Sequence, residues 1–290
     1  MCLVSKKNTQ LIDILESLYK KNNRRDSIKP DPLQFVYKYS DPADMEIAGF
    51  LAAALAYGRV QQIEKSLTRL FQRMGESPAQ FVRNFDRQKR ARLADFKHRF
   101  TAGDDISDLL TLLKTILNHF GDIQTFFLQG YDPDDTNIIP ALSKFCDSLL
   151  AMYAGNHKGR VTTSLAYLLT RPAAGSACKR LNLFLRWMVR RDEVDAGLWK
   201  SVDKAKLIVP VDVHMARLCK ILRLYDRKTV SLAAAVEITR GFAQIEPADP
   251  VKYDFALSRI GIVDNCTGRL RPQCRECRLF EICLSRQDKT

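Results

Sequence analysis

Val209-Pro210-Val211-Asp212-Val213-His214-Met215-Ala216-Arg217-Leu218 is the stretch around which the chain reads. Leu207, Ile208 and Val209 ahead of it make an apolar run suited to an extended or buried segment. Pro210 holds the residue before it out of helical geometry. Asp212 then stands at a natural N-cap position. Val213, Met215, Ala216, Leu218, Cys219, Ile221 and Leu222 continue at helical spacing. The expectation is a carboxylate at the mouth of a helix, kept ionised by backbone N–H groups and the helix dipole. Capping alone would account for such a residue, but two features, one upstream and one downstream, give it a second role.

Upstream lies Pro172-Ala173-Ala174-Gly175-Ser176-Ala177-Cys178-Lys179-Arg180, a turn feeding a helix with Leu181, Leu183, Phe184, Leu185, Trp187 and Met188 on its apolar stripe. Small residues there leave backbone N–H groups open at a helix start, where a phosphate can dock beside Lys179 and Arg180. From Arg171 to Arg227 there are thirteen Lys/Arg against six Asp/Glu, so basic charge gathers around Asp212.

Downstream, Cys266, Cys274, Cys277 and Cys283 follow the spacing C-x7-C-x2-C-x5-C. Four thiols in so short a span of a protein without a secretory signal point to a metal centre rather than to disulfides. Tetrahedral zinc and a four-iron, four-sulfur cluster are the two solutions. Zinc sites usually use two close pairs of cysteines and only one pair is close here, so the [4Fe-4S] cluster is expected, with zinc the alternative. Arg269, Arg271, Arg275, Arg278 and Arg286 surround these thiols, placed to offset cluster charge or to touch phosphates.

The 290 residues suffice for one large domain or two small ones with a real core. Glycine is sparse, 13 in all, and alternating apolar/polar runs are nearly absent, which predicts helices. A net charge of +13 makes a polyanion the first partner to consider, nucleic acid above all. Met1–Gln10 has no hydrophobic core of signal-peptide length, and the longest apolar run, Ile47–Tyr57, is too short to span a bilayer. A reducing cytoplasm and no membrane association are therefore expected. Helical periodicity runs over Leu11–Tyr19, from Asp44 through Ala56, over Ile63–Phe71, Leu109–Phe120 and Ala141–Tyr153, and over Tyr253–Ile260. The run from Asp44 has the all-round apolar character of a central helix. Asp86–Arg99 reads as a solvated, charged segment. Asp254 reads as solvated or salt-bridged, and Trp199 has no assignable role. The fold class is all-α.

Together the hairpin, the Asp212 segment and the cysteines resemble the helix-hairpin-helix DNA glycosylase superfamily. Val209–Met215 is similar to the Val-Pro-Val-Asp-Val-His-Met run of oxoguanine glycosylases, and the cysteines are similar to the cluster loop of endonuclease III. The likeness covers about Asp44 to Thr290. It implies two helical subdomains with a cleft between them: 45–208, carrying the hairpin, and 209–290, carrying the catalytic aspartate and cluster loop and packed with 1–44. It further implies a monomeric, nucleoid-associated DNA-repair enzyme acting on double-stranded DNA with a damaged or mismatched base. Asp212 would be the catalytic carboxylate, and Lys179 either the nucleophile of an associated lyase or a phosphate contact. Gly175, Ser176, Ala177, Arg180 and His214 would line the DNA. Tyr57 or Arg59, at the break after the central helix, would fill the gap left by a flipped-out base. A non-catalytic iron–sulfur DNA-binding protein on the same scaffold, and an RNA-directed enzyme, are the alternatives.

The chain departs from that pattern in two places. Ala177 stands where the hairpin usually has its second glycine, which would strain a backbone needing positive φ. Thirty-two residues separate Lys179 from Asp212, which marks Trp187–Lys206 as an insertion able to carry the lysine away from the aspartate.

Overall fold

The computed structural model describes residues 6–264 and 266–283. The protein is all-α: the described residues hold a single two-stranded sheet, and no helix among them is long and apolar enough to cross a membrane. In chain order the helices are α1 (Lys6–Asn22), α2 (Pro42–Ala54), α3 (Val60–Met74), α4 (Pro78–Arg83) and α5 (Arg87–Arg92). The antiparallel strands β1 (Lys97–His98) and β2 (Thr101–Ala102) come next. After them run α6 (Gly103–Phe120), α7 (Ile123–Leu128), α8 (Ile139–Asn156) and α9 (Thr163–Leu168). The chain continues through α10 (Lys179–Val189), α11 (Val213–Ile221), α12 (Leu232–Ala243) and α13 (Asp254–Ile262).

The core is built around α2, where every residue from Glu46 to Ala56 is buried. The helix starts two residues earlier than the Asp44 expected: Asp41 caps it by accepting from the Ala43 amide (2.9 Å), and Pro42 opens its first turn. The released Asp44 turns to α4, taking hydrogen bonds from Ser77 Oγ (2.7 Å) and the Ala79 amide (2.8 Å). Glu46 does the same for α7, accepting from the Ile123 and Gln124 amides (2.9 and 3.0 Å) and from Trp199 Nε1 (2.7 Å). Both acids of the central helix are thus spent on the N–H groups of neighbouring helices. Gly49 lets α10 come close, since a Cβ there would lie 2.8 Å from the Met188 methyl.

The charged stretch Asp86–Arg99 is only partly solvated, which corrects the expectation. The turn of α5 is exposed, but Leu93, Phe96 and His98 are buried. His98 is gripped at both ring nitrogens, by Ser66 Oγ (2.9 Å) and the Tyr57 carbonyl (3.0 Å). Three buried side chains scattered among charges set up no period to read.

The segment between α10 and α11 closes on itself instead of extending. Ala196 and Gly197 amides donate to the Trp187 carbonyl (3.0 and 3.1 Å), and Trp199 donates to the Met188 carbonyl (2.7 Å). Gly197, at φ 60°, packs against Arg191 so closely that a Cβ would fall 2.9 Å from the Arg191 Cα. Trp187 is wholly buried, as expected. Trp199 also enters the core, its ring edge-on to Phe184 at 5.2 Å.

Beneath this closure lies a buried ionic cluster. Arg186 pairs with Asp195 (3.2 Å) and Asp254. Arg190 pairs with Asp195 (2.9 Å), Asp249 (2.8 Å) and Asp192. Asp254 is therefore salt-bridged and buried rather than solvated. Burial pushes its carboxyl up to about 6 against the opposing pull of Arg186. On the far side, α1 packs on α13: Lys252 Nζ and the Tyr253 hydroxyl reach Glu16 (2.6 and 2.5 Å).

Candidate active site

The helix expected after Asp212 is α11, with Asp212 as its N-cap: one carboxylate oxygen accepts from the His214 and Met215 amides, each at 2.9 Å. Val209 and Val211 are buried on either side of Pro210, and the Val209 amide donates to Thr239 Oγ1 (3.0 Å), so the approach to the cap is fixed. The second oxygen of Asp212 lies 3.2 Å from Lys179 Nζ. The segment 187–206 does not separate the two residues, because its backbone returns to the end of α10 before the chain proceeds to Asp212. The side chains remain about 31% and 28% exposed, so solvent or a ligand reaches the pair. Burial acts to raise the Asp212 carboxyl, but Lys179 and the Met215 amide outweigh it and hold the group below its ordinary value of 3.8.

Lys179 is the first residue of α10 and leaves the hairpin that follows α9. The turn resolves the question of Ala177. The left-handed positions are Gly175, at φ 74°, and Cys178, at φ 46°, and Ala177 is not one of them. Cys178 is held in place: its amide donates to Ser176 Oγ (3.2 Å) and its thiol to the Thr170 carbonyl (3.2 Å). Ala177 is buried, and its carbonyl accepts from Asn182 Nδ2 (3.0 Å). Gly175 is exposed, with its carbonyl accepting from the Leu232 amide at the start of α12 (2.9 Å).

Arg180 faces inward. Its guanidinium donates to the Ala54 carbonyl (3.0 Å), to Thr170 Oγ1 (3.2 Å) and to the Tyr167 carbonyl, and it lies 4.1 Å from the Tyr167 ring centre. Its work is to tie the hairpin to the end of α2. His214 packs toward α13, where a Cβ on Gly261 would meet its Cβ at 3.1 Å. His214 Nδ1 is buried without a hydrogen-bond partner among the described residues. Tyr57 is half-buried, its hydroxyl 2.7 Å from Thr101 Oγ1 and donating to the His98 carbonyl (3.0 Å). Gly58 turns the chain at φ 97°, and Arg59 follows, exposed.

Cys266, Cys274, Cys277 and Cys283 line one pocket open to solvent, walled also by Leu218, Ile260 and Leu279. Burial pushes the Cys277 thiol up, and the nearby Cys266, Cys274 and Cys283 sulfurs act in the same direction. No three His, Cys, Asp or Glu side chains among the described residues converge as one bound ion would require. The loop is fastened to α11 by Arg217, which donates to the Cys266 carbonyl (2.8 Å), and to α1 by Arg278, which donates to Ser17 Oγ (2.7 Å). Arg286 lies outside the described residues.

Sequence reasoning missed the aromatic cluster beside the hairpin. Phe100, 53% exposed at the β1–β2 turn, lies 5.1 Å from Tyr57 and 4.8 Å from Tyr167 (ring centres). Two-residue strands leave no alternation to detect, and the three rings come from separate parts of the chain.

A family model described as "Protein of unknown function (DUF2400)" matches residues 31–263, a span that holds the Tyr57 turn, Phe100, the hairpin and Asp212 and stops short of Cys266. No curated protein and no solved structure matches the chain.

Proposed function

The chain belongs to this family, the protein of unknown function DUF2400, and we propose, from its own residues, that it is a DNA-repair glycosylase with an associated lyase activity. The observation that carries the reading is the contact between Lys179 Nζ and Asp212 Oδ2 at 3.2 Å, at the mouths of two helices and open to solvent. An amine and a carboxylate so placed match the two roles that N-glycosidic cleavage needs. Positive charge builds on the sugar as electrons leave with the base, and a fixed anion stabilises it. Asp212 is that anion, and its two amide hydrogen bonds set its orientation. It also accepts the proton that Lys179 must lose before its nitrogen attacks the anomeric carbon as the base leaves with the glycosidic electron pair. The C1′–O4′ bond then breaks, with a proton passing to O4′, to leave the Schiff base.

The substrate in this reading is double-stranded DNA, whose phosphates meet the surplus of basic residues around the exposed turn at Gly175. The target nucleotide leaves the stack to reach the pair. The segments 45–208 and 209–290 act as two helical subdomains, with Lys179 and Asp212 on opposite walls of the cleft between them. A cytoplasmic, nucleoid-associated monomer fits this chemistry.

The four cysteines suit a resident [4Fe-4S] cluster in their chemistry, since all four donors are sulfur and all four line one pocket. Cys266, Cys274, Cys277 and Cys283 would hold it. When bound it supplies a rigid, charged cross-link for the loop that Arg217 ties to α11, a structural contribution to the site. Protein purified without air is expected to be brown and to carry iron, and Cys277→Ser to lose both. A colourless, zinc-containing preparation would assign the same thiolates to zinc.

The test of the enzyme reading is a panel of duplexes carrying damaged or mismatched bases, incubated with the protein in the presence of borohydride. The expected result is base release from at least one duplex and a covalent adduct that disappears in Lys179→Gln. Base release with no adduct would make Lys179 a phosphate contact and water the nucleophile. Silence across the panel would leave a DNA-binding protein without chemistry.

A further inference from the structure

We propose, resting on the DNA reading above, that Phe100 is the side chain that enters the base stack where the target nucleotide leaves it. The ring stands at the two-residue turn of the β1–β2 hairpin, 53% exposed, with Arg99 beside it in the left-handed region at φ 54°. A large apolar side chain held that far into water gives up burial that the fold would otherwise use.

What holds it there is a built support. Behind the ring lies Tyr57, nearly parallel at 26° and 5.1 Å, and Tyr167, edge-on at 4.8 Å. The guanidinium of Arg180 closes the stack from below, 5.3 Å from Tyr57 and 4.1 Å from Tyr167. The base of the hairpin is pinned by buried His98 and by the contact of Thr101 with the Tyr57 hydroxyl. The tip is therefore presented stiffly, which lowers the entropy lost when it inserts.

The rim favours nucleic acid over an apolar protein pocket. Residues 57–60 and 97–102 contain Arg59, Lys97 and Arg99 and no acid, and all three cations are exposed. An apolar wedge with a cationic collar matches a duplex, whose bases stack inside two rows of phosphates. The aromatic stack adjoins the start of α10: Arg180, which lies against both tyrosine rings, is the residue after Lys179. Tyr57, one of the two wedge candidates in the sequence beside Arg59, has its hydroxyl tied and its ring half-covered. It is the shelf on which the wedge rests, and Arg59 belongs to the collar.

The probe is a duplex with a tetrahydrofuran abasic analogue and a 2-aminopurine next to the gap, so that unstacking is read without any chemistry. The wild-type protein is expected to raise 2-aminopurine fluorescence. Phe100→Ala is expected to abolish the rise and to bind this duplex roughly tenfold more weakly, from the loss of one stacking contact. Phe100→Trp should keep both, and binding to single-stranded DNA should be unchanged by either substitution. No rise with the wild type, an undiminished rise with Phe100→Ala, or an equal loss on single strands would each overturn the proposal. The glycosylase reading is judged separately by base release. A silent lesion panel beside a Phe100-dependent rise would sink the enzyme and leave the wedge standing.

Discussion

Asp212→Asn is expected to keep the fold and the DNA affinity while lowering base release by about a hundred- to a thousandfold, the scale of a lost preorganised electrostatic contact. Asparagine caps a helix nearly as well as aspartate, so the His214 and Met215 amides keep their acceptor. The ion pair with Lys179 is about 30% exposed on each side, and pairs of that kind contribute at most about 1 kcal/mol to stability. Rate and stability should therefore separate: single-turnover base release collapses while the thermal midpoint and the binding isotherm barely move. Full activity in this variant would remove Asp212 from the mechanism.

The same residue sets a pH signature. Its folded carboxyl sits below the ordinary 3.8, so the folded state releases the proton more readily than the unfolded chain does. The stabilisation it brings is present above 3.8 and is lost as pH falls through the lower folded value. Base release limited by Asp212 should accordingly hold down to that range. An acid limb centred well above it would belong to another group.

Arg186→Met is expected to destabilise the protein by about 3–5 kcal/mol, because it strips a buried charge from two acids that cannot reach water. Arg186 is 2% exposed and bridges Asp195 to Asp254. Arg190 still faces Asp195 in the variant, but Asp254 has no second ion-pair partner among the described residues. The loss should shrink in acid. Asp254 already has its carboxyl raised to about 6, so protonation neutralises it readily once Arg186 is gone. In the unaltered protein that raised value means the fold favours the protonated acid, an advantage present below 3.8 and gone as pH rises past about 6. Urea unfolding at pH 5 and pH 8 measures both effects. A loss under about 1 kcal/mol at pH 8 would show the acids to be neutral already.

What could be read from the chain divides by distance. The cap at Asp212, the helix behind it and the central character of α2 are local: an N-cap donor set and an apolar period suffice. The turn at Gly175 was legible as a turn, but not which of its residues takes left-handed geometry, because Cys178 is paid for by a thiol and a hydroxyl contact that no periodicity announces. The approach of Lys179 to Asp212 depends on a 32-residue excursion. Length alone suggested separation, while the backbone bonds to the Trp187 and Met188 carbonyls bring the path back. Arg180 looked like a phosphate ligand because arginines on a basic stretch usually face outward, and only the carbonyls of Ala54 and Tyr167 turn it in. The hairpin bearing Phe100 is four paired residues long, too short for a pattern.

The folded-back segment after α10 also fastens the N-terminal helix to the interior. Tyr19 of α1 donates to Asp192 (2.9 Å) and Tyr37 to the Val194 carbonyl (2.5 Å), while the partners of those residues include Arg190 and, through Asp195, Arg186. An N-terminal helix anchored in this way cannot peel off alone. Detaching it exposes charges that only the intact interior neutralises, so local fraying there is coupled to global opening and the polypeptide melts as one cooperative unit.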